Sequence, residues 1–393
     1  MQNIINRTWT EIDLFAVRHN FFEVQKLCSK NDCINDNTEN LQNQKINICC
    51  VIKADGYGHG ATKLAQIYES LGVNFFAVSN IDEAISLRND GINSKILILG
   101  YTPISFAKIL SDQNVSQCVY SYEYAKELSQ KCKEENCKIN IHIKADTGMS
   151  RLGFYYQNPK EDFLAVSQIK EVCSFENFVA EGIFTHFAES DSGNDNFTLK
   201  QFANFNDLIE QLSDIKFPFI HCANSAGIMD FKETHFNMVR AGIMLYGLAP
   251  SSDMRTKTNL LPVMSLKSVI SHIKTIKKGA TVSYGRNFTA DTDLKIATIP
   301  VGYADGYSRR LSKLDTDVLI NGQRRRIIGN ICMDQLMVLL EKNDKVEIGD
   351  TVTLIGTENG QSITVDELAE KLSTINYEIV CNLKLRASRI FVN

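Results

Sequence analysis

The chain has 393 residues, 44% hydrophobic and 22% charged, which supplies apolar mass for a large core and excludes disorder as the main state. Its 42 Lys and Arg against 46 Asp and Glu leave a formal charge of −4, so nothing draws it generally to nucleic acid or to an anionic membrane. No apolar run approaches the roughly 18 residues of a membrane span, and the start has no basic stretch followed by an unbroken apolar core, so neither a span nor a secretory signal is expected.

The chain opens with alternating apolar and charged positions that read as a strand leading into a helix. Ser29 to Lys45 is polar and Asn-rich and reads as an exposed insertion that carries no chemistry. Eight short apolar runs follow: Ile46 to Ala54, Asn74 to Ser79, Lys95 to Gly100, Gln117 to Ser121, Lys138 to Ala145, Glu181 to Phe187, Phe219 to Asn224 and Met238 to Tyr246. They are rich in Val, Ile and Phe and end in polar or Gly positions, as buried strands do. Amphipathic stretches such as Ala61 to Leu71 and Ile81 to Arg88 separate most of them, although no clear helix follows the last. The expected fold is α/β, an N-terminal (β/α)8 barrel of the TIM type followed by a smaller, mostly β domain. The division is placed at 1–250 and 251–393, with Met1 to Leu14 able to pair with the β domain. In the second part Ser265 to Lys277, Asp293 to Tyr303, Val318 to Ile328 and Leu336 to Glu341 read as strands. Asn321-Gly322 marks a hairpin turn, and Ile363 to Leu372 a short helix opened by Thr364.

The eleven cysteines are odd in number and scattered, so reduced thiols in a cytoplasmic protein are expected, not a disulfide framework. Cys28 with Cys33 and Cys132 with Cys137 have no nearby His, so no metal site is expected. The basic triplet Arg324 to Arg326 reads as a solvated strand end. Lys53 stands out, because a lysine closing a buried strand pays for burying its ammonium. A lysine that has reached the surface gives the same local pattern; a lysine prepared for covalent amine chemistry is the alternative.

The string VIKADGYGHG around Lys53 resembles the cofactor-lysine motif of the alanine racemases, barrel-type enzymes that use pyridoxal 5′-phosphate (PLP). RTWTEIDL, IKADTGMSRLGF, THFAESD, HCANSAG, VRAGIMLYG, TVSYGRNFTA, VGYADGYSRR, GNICMDQ and NYEIVCNLKLRASRIF extend the resemblance over almost the whole chain, in the family's order. Short strings of this kind are moderately specific; all ten in this order are highly so.

The resemblance implies roles. Lys53 would bind PLP covalently and act as one base, and Tyr284 would be the second, reaching in from the partner subunit of a homodimer with shared sites. Arg240 would face the pyridine nitrogen and keep it unprotonated, because an arginine stays charged. Tyr57, Ser225, Tyr377 and the backbone of Gly242 and Ile243 would hold the phosphate, with Asn224 beside them. His186 would join a hydrogen-bond network near the ring. Arg151 and the backbone of Met333 would hold the substrate carboxylate, with Lys144, often carbamylated in relatives, supporting Arg151. Tyr303, Arg309 and Asp191 match residues of the family's access corridor. Gly56 departs from relatives, which often carry Ala; read as a helical position it costs about 1 kcal/mol of propensity.

Racemisation of L-alanine and D-alanine removes a proton from one face and returns one to the other, so two bases avoid a crossing of the substrate plane. The product would supply D-alanine for peptidoglycan. The competing readings are a serine or broad-specificity racemase, a barrel-type PLP amino-acid decarboxylase, and a non-catalytic PLP carrier. The chain lacks the decarboxylase Gly-Gly-Gly loop, and carriers resemble the barrel alone. Tyr377 would favour alanine by crowding the pocket.

Overall fold

A computed structural model describes residues 7–29, 46–383 and 386–393. The expected insertion, Ser29 apart, therefore lies outside the described residues. The chain opens with β1 (Thr8–Asp13) and α1 (Leu14–Cys28). It divides into two compact units, one formed by Arg18–Gly56 and Ala61–Leu260, the other by the residues up to Val17, Tyr57–Gly60 and Leu261–Asn393.

The first unit is a nearly closed barrel of eight parallel strands. These are β2 (Asn47–Val51), β3 (Phe75–Val78), β4 (Lys95–Ile98), β5 (Val115–Val119), β6 (Ile139–Asp146), β7 (Phe178–Phe184), β8 (Phe219–His221) and β9 (Met238–Ala241). Hydrogen bonding runs β9-β2-β3-β4-β5-β6-β7-β8. The Arg240 N–H donates to the Ala223 carbonyl at 2.9 Å and links the last two strands. All eight lie within the eight apolar runs or overlap them.

Four of the intervening helices start where a short polar side chain, Asn80, Ser121, Asn194 or Asn224, replaces a missing backbone acceptor. Asn80 accepts from the Glu83 N–H at the start of α3 (Ile81–Asn89), and α2 (Ala61–Ser70) buries Leu64, Ala65, Ile67 and Tyr68. α4 (Ala107–Asp112), α5 (Tyr122–Glu134), α6 (Phe163–Cys173), α7 (Asp195–Gln211) and α8 (Ser225–Asp230) follow. After β9 there is only a 3-10 turn, Ile243–Tyr246. Cover at this end comes from the start of the chain, since Asn20 on α1 donates to the Leu245 carbonyl at 3.4 Å and Phe21 packs 5.7 Å from Tyr68.

Two local features shape the barrel. In β7 the register slips, so that Ile141 faces Ala180 and His142 faces Gly182, leaving Glu181 as a bulge. The segment after β2 winds left-handed, with Ala54, Asp55 and Gly56 at φ 53°, 57° and 62°. This corrects the helix-propensity reading of Gly56: in a left-handed turn glycine is the residue without a penalty. Asp55 Oδ1 accepts the Ala61 N–H at 2.9 Å and Glu83 Oε1 accepts the Ala54 N–H at 2.7 Å, fixing the turn from both ends.

The second unit is a mostly antiparallel sheet. Its strands are β10 (Met264–Val269), β11 (His272–Ile276), β12 (Leu294–Ile299), β13 (Asp317–Ile320), β14 (Gln323–Ile328), β15 (Leu336–Leu340), β16 (Thr351–Glu358), β17 (Gln361–Ile363) and β18 (Ser388–Val392). The order is β11-β12-β15-β14-β13-β16-β10-β1-β18, with β17 on β16; β1 pairs antiparallel with β10 and parallel with β18. Asn321 and Gly322 take positive φ and close the β13–β14 hairpin. Thr364 caps α9 (Val365–Leu372) by accepting from the Glu367 N–H. The run Ser265 to Lys277 is two strands, because Ile270 turns to bond Asp350. β16 to β18 and α10 (Asn376–Asn382) were not anticipated. Arg324, Arg325 and Arg326 pair with Glu367, Asp344 and Asp315, so the triplet is neutralised where it stands. The ten described cysteines are free thiols, no described group of His, Cys, Asp or Glu forms a metal site, and no described helix is long and apolar enough to cross a membrane.

Candidate active site

The C-terminal ends of neighbouring barrel strands carry Lys53, His186, Asn224, Ser225, Gly242 and Ile243 on one rim, the end at which parallel barrels build their sites. Arg240 on β9 faces Cys49 in the register with β2, and Lys53 follows Cys49 by four residues. Arg240 is buried, and both terminal nitrogens of its guanidinium are hydrogen-bonded. Nη1 donates to His221 Nδ1 at 2.8 Å and the His221 carbonyl at 3.2 Å. Nη2 donates to the Thr185 carbonyl at 2.9 Å, His186 Nδ1 at 3.0 Å and the Cys222 carbonyl at 3.0 Å. All five acceptors are neutral. Burial lowers Arg240 to about 10, which leaves it charged at neutral pH. Burial and the Arg240 charge hold the His186 and His221 imidazoles well below the ordinary histidine range, so both are neutral acceptors. Phe184 stacks on His221 at 4.8 Å and lies 5.3 Å from the guanidinium carbon.

The next strand ends bring Asn224, Ser225 and Gly242 together. Asn224 caps α8, its side-chain oxygen accepting the Gly227 N–H at 2.9 Å and the Ser190 hydroxyl at 3.1 Å. Ser225 Oγ accepts the Gly242 N–H at 3.0 Å and keeps its own hydrogen to donate. Ile243 opens the 3-10 turn, where backbone N–H groups have no acceptor within the turn. A hydroxyl and first-turn N–H groups are donors suited to a phosphate. In the β unit Tyr57 and Tyr377 meet, ring centroids 6.0 Å apart. Burial pushes the Tyr57 phenol above its ordinary pKa, so it remains a donor.

Lys144 is buried on β6, donating to the Ala145 carbonyl at 2.7 Å with its ammonium 5.3 Å from the Phe184 ring. Burial, reinforced by the Arg240 and Arg151 charges, brings it down to about 7. Arg151 is exposed on the loop after β6, where Asp146 Oδ1 accepts the N–H groups of Gly148 and Ser150.

In the β unit Tyr284 is 70% exposed and opens a turn, not a strand. Asn330 Nδ2 donates to its carbonyl at 2.6 Å, and the Ser283 hydroxyl donates to the Asn330 carbonyl at 2.5 Å. An exposed tyrosine thus rides on a pinned backbone. Met333 is exposed, and its carbonyl accepts the Ala304 N–H at 3.0 Å. Tyr303 and Arg309 are exposed on 3-10 turns of the same unit, and Asp191 is half-buried in the barrel unit. The sequence reading did not find Asn330, Glu83 or Asp305, whose buried carboxylate accepts from Arg7, Arg386 and the Gly302 N–H. Nor did it find His142 and Glu181, whose signal was a polar residue inside an apolar run.

Comparison with known proteins gives a consistent result. Residues 12–250 match the family described as alanine racemase, N-terminal domain, and residues 263–391 match alanine racemase, C-terminal domain. The chain is 40% identical over 391 residues to alanine racemase 1 of Clostridium acetobutylicum, covering 99% of this chain and 96% of that one. The alanine racemase of Clostridium difficile 630 superposes with a TM-score of 0.90 at 38% identity, covering 99% and 97% of the two chains. A histidine racemase from Leuconostoc mesenteroides superposes with a TM-score of 0.86 at 28% identity, covering 99% of each.

Proposed function

Because this chain belongs to the alanine racemase family, we propose that it interconverts L-alanine and D-alanine with PLP as cofactor. The observation that carries the reading is Arg240, a buried cation held by neutral acceptors on the strand next to the one that leads into Lys53. The donor set fits the cofactor. The Ser225 hydroxyl and the Ile243 N–H suit its phosphate, with the Gly242 N–H holding Ser225 Oγ in place; Tyr57 and Tyr377 add phenol donors, and Asn224 holds the start of α8. Lys53 supplies the amine and His186 a neutral ring beside Arg240.

When bound, the cofactor delocalises the electron pair left at the substrate α-carbon. Arg240 can only donate, so it denies the pyridine nitrogen a proton. Lys53 serves the D-isomer's proton, and Tyr284 of the partner subunit serves the L-isomer's. Arg151 and the Met333 backbone hold the substrate carboxylate. Lys144 at about 7 has a substantial neutral fraction, the form that adds carbon dioxide, and the resulting carbamate would be an anion for Arg151. The active unit is a homodimer with shared sites, 1–250 serving as the PLP barrel and 251–393 as the β domain. Free thiols support a cytoplasmic location, where D-alanine feeds peptidoglycan.

Purified protein assayed against L-alanine, L-serine and L-histidine, with and without PLP, tests the proposal. Alanine should racemise fastest and only with PLP. Faster turnover of serine or histidine would overturn the substrate assignment, and no racemisation would overturn the activity.

A further inference from the structure

The hydrogen bonds of Arg240 do not stop at His221. His221 Nε2 lies 2.9 Å from His142 Nδ1, and His142 Nε2 lies 3.2 Å from Glu181 Oε2. Only one placement of protons satisfies this chain. A guanidinium has no acceptor, so His221 Nδ1 must accept from Arg240. A neutral imidazole has one N–H, so His221 Nε2 donates to His142 Nδ1. His142 Nε2 then donates to Glu181. The two histidines therefore have a direction, from a buried cation to a buried carboxylate.

Glu181 is built for this position. It is the bulged residue of β7, and the bulge is where His142 changes register. The next residue is Gly182, where a Cβ would lie 2.4 Å from His142 Nδ1. Ser116 Oγ donates to Glu181 Oε2 at 2.5 Å, and Lys95 pairs with Oε1. Burial by itself would raise the carboxyl pKa, but the hydrogen bonds from His142, Lys95 and Ser116 outweigh it and hold it down to about 2. Lys95 is the first residue of β4 and Ser116 the second of β5, whereas Lys53, Ser225 and Ile243 follow strand ends. The relay thus runs along the barrel, away from the candidate rim.

We propose that Glu181 is a positioning residue: through His142 it fixes the His221 tautomer, so that Nδ1 faces Arg240 as an acceptor and orients the guanidinium. Without an acceptor at 181, His142 either buries an unpaired N–H or exchanges tautomer. Exchange would force His221 to set an N–H against those of Arg240. The consequence for Arg240 at the cofactor rests on the racemase reading; the tautomers do not.

The test uses full-length protein labelled with ¹⁵N-histidine, whose seven histidines give few signals. His142 and His221 signals, assigned by single replacements, are read without cofactor or substrate. The parent and Glu181→Gln should show both rings protonated at Nε2, because the amide oxygen still accepts from His142 while the solvent-exposed Lys95 ammonium turns away from the amide N–H groups. Glu181→Met should show mixed or exchanged tautomers. In PLP-loaded protein, Met should lower kcat roughly tenfold or more, the scale of losing a partner that orients a ligand, and Gln should rescue most of the loss. Unchanged tautomers in folded Glu181→Met, or a Gln variant as impaired as Met, would overturn the proposal. If Glu181→Met does not fold, Gly182→Ala displaces the His142 ring directly. Altered His221 signals there support the relay, and unaltered ones overturn it.

Discussion

Replacing Gly56 with Ala gives effects of opposite sign for the two readings of the segment after β2. In a right-handed helix the change would stabilise by about 1 kcal/mol. At the observed φ of 62° and ψ of 45°, an L-residue costs roughly 1–2 kcal/mol. The smaller freedom of Ala in the unfolded chain returns about 0.4–1 kcal/mol. The new Cβ would sit 3.1 Å from Leu64 Cδ1 and 3.3 Å from the Ala61 Cα and N. The leucine methyl can give way, but the Ala61 backbone is tethered to Asp55. The net expectation is a loss of about 1 kcal/mol, a fall of roughly 2 °C in the calorimetric midpoint. Gly279→Ala is the control: its φ is +84° and nothing lies within 4 Å of its added Cβ, so it reports the conformational cost without crowding. A rise in the midpoint for Gly56→Ala would refute the left-handed reasoning.

Borohydride treatment of PLP-loaded protein should fix the cofactor to the peptide containing Lys53, and fixation elsewhere would remove the assignment. Arg240→Glu should slow racemisation and raise transamination by-products, since a carboxylate favours a protonated pyridine nitrogen; a variant with parental rates and products would place Arg240 away from the ring. His186 and His221 have depressed folded-state pKa values, so their contribution to stability is complete above the ordinary histidine pKa and erodes as pH falls below it. Histidine NMR at pH 6 should find both neutral in the folded protein, and imidazolium signals from either would contradict this. Reassembled mixtures of Lys53→Ala and Tyr284→Phe should recover up to about a quarter of parental activity, because half the dimers are mixed and each has one complete site. No recovery from verified mixed dimers would show that both bases come from one chain.

The barrel was legible because strands buried on both faces must be nearly continuous in apolar residues, and eight such runs separated by amphipathic stretches fit a closed parallel barrel. Lys53 was legible for a related reason: an ionisable group closing an apolar run carries a desolvation cost that asks for an explanation, whereas Arg240 was named by the family resemblance. Local chemistry also announced the Asn321-Gly322 hairpin and the Thr364 cap, since both depend on adjacent residues alone. Other features depend on groups distant in the chain. Glu83 pins Ala54 from 29 residues away, and Asn330 pins Tyr284 from 46. The left-handed turn after Lys53 is held by the Glu83 tether and by Asp55 on Ala61, where local propensity suggested an ordinary helix. The direction of the His142–His221 relay required the β7 bulge, a one-residue change of register that strand periodicity does not disclose. Hydrophobic pattern specifies which face of an element is buried; which buried polar groups then meet is decided by register, and register exists only when the strands are paired.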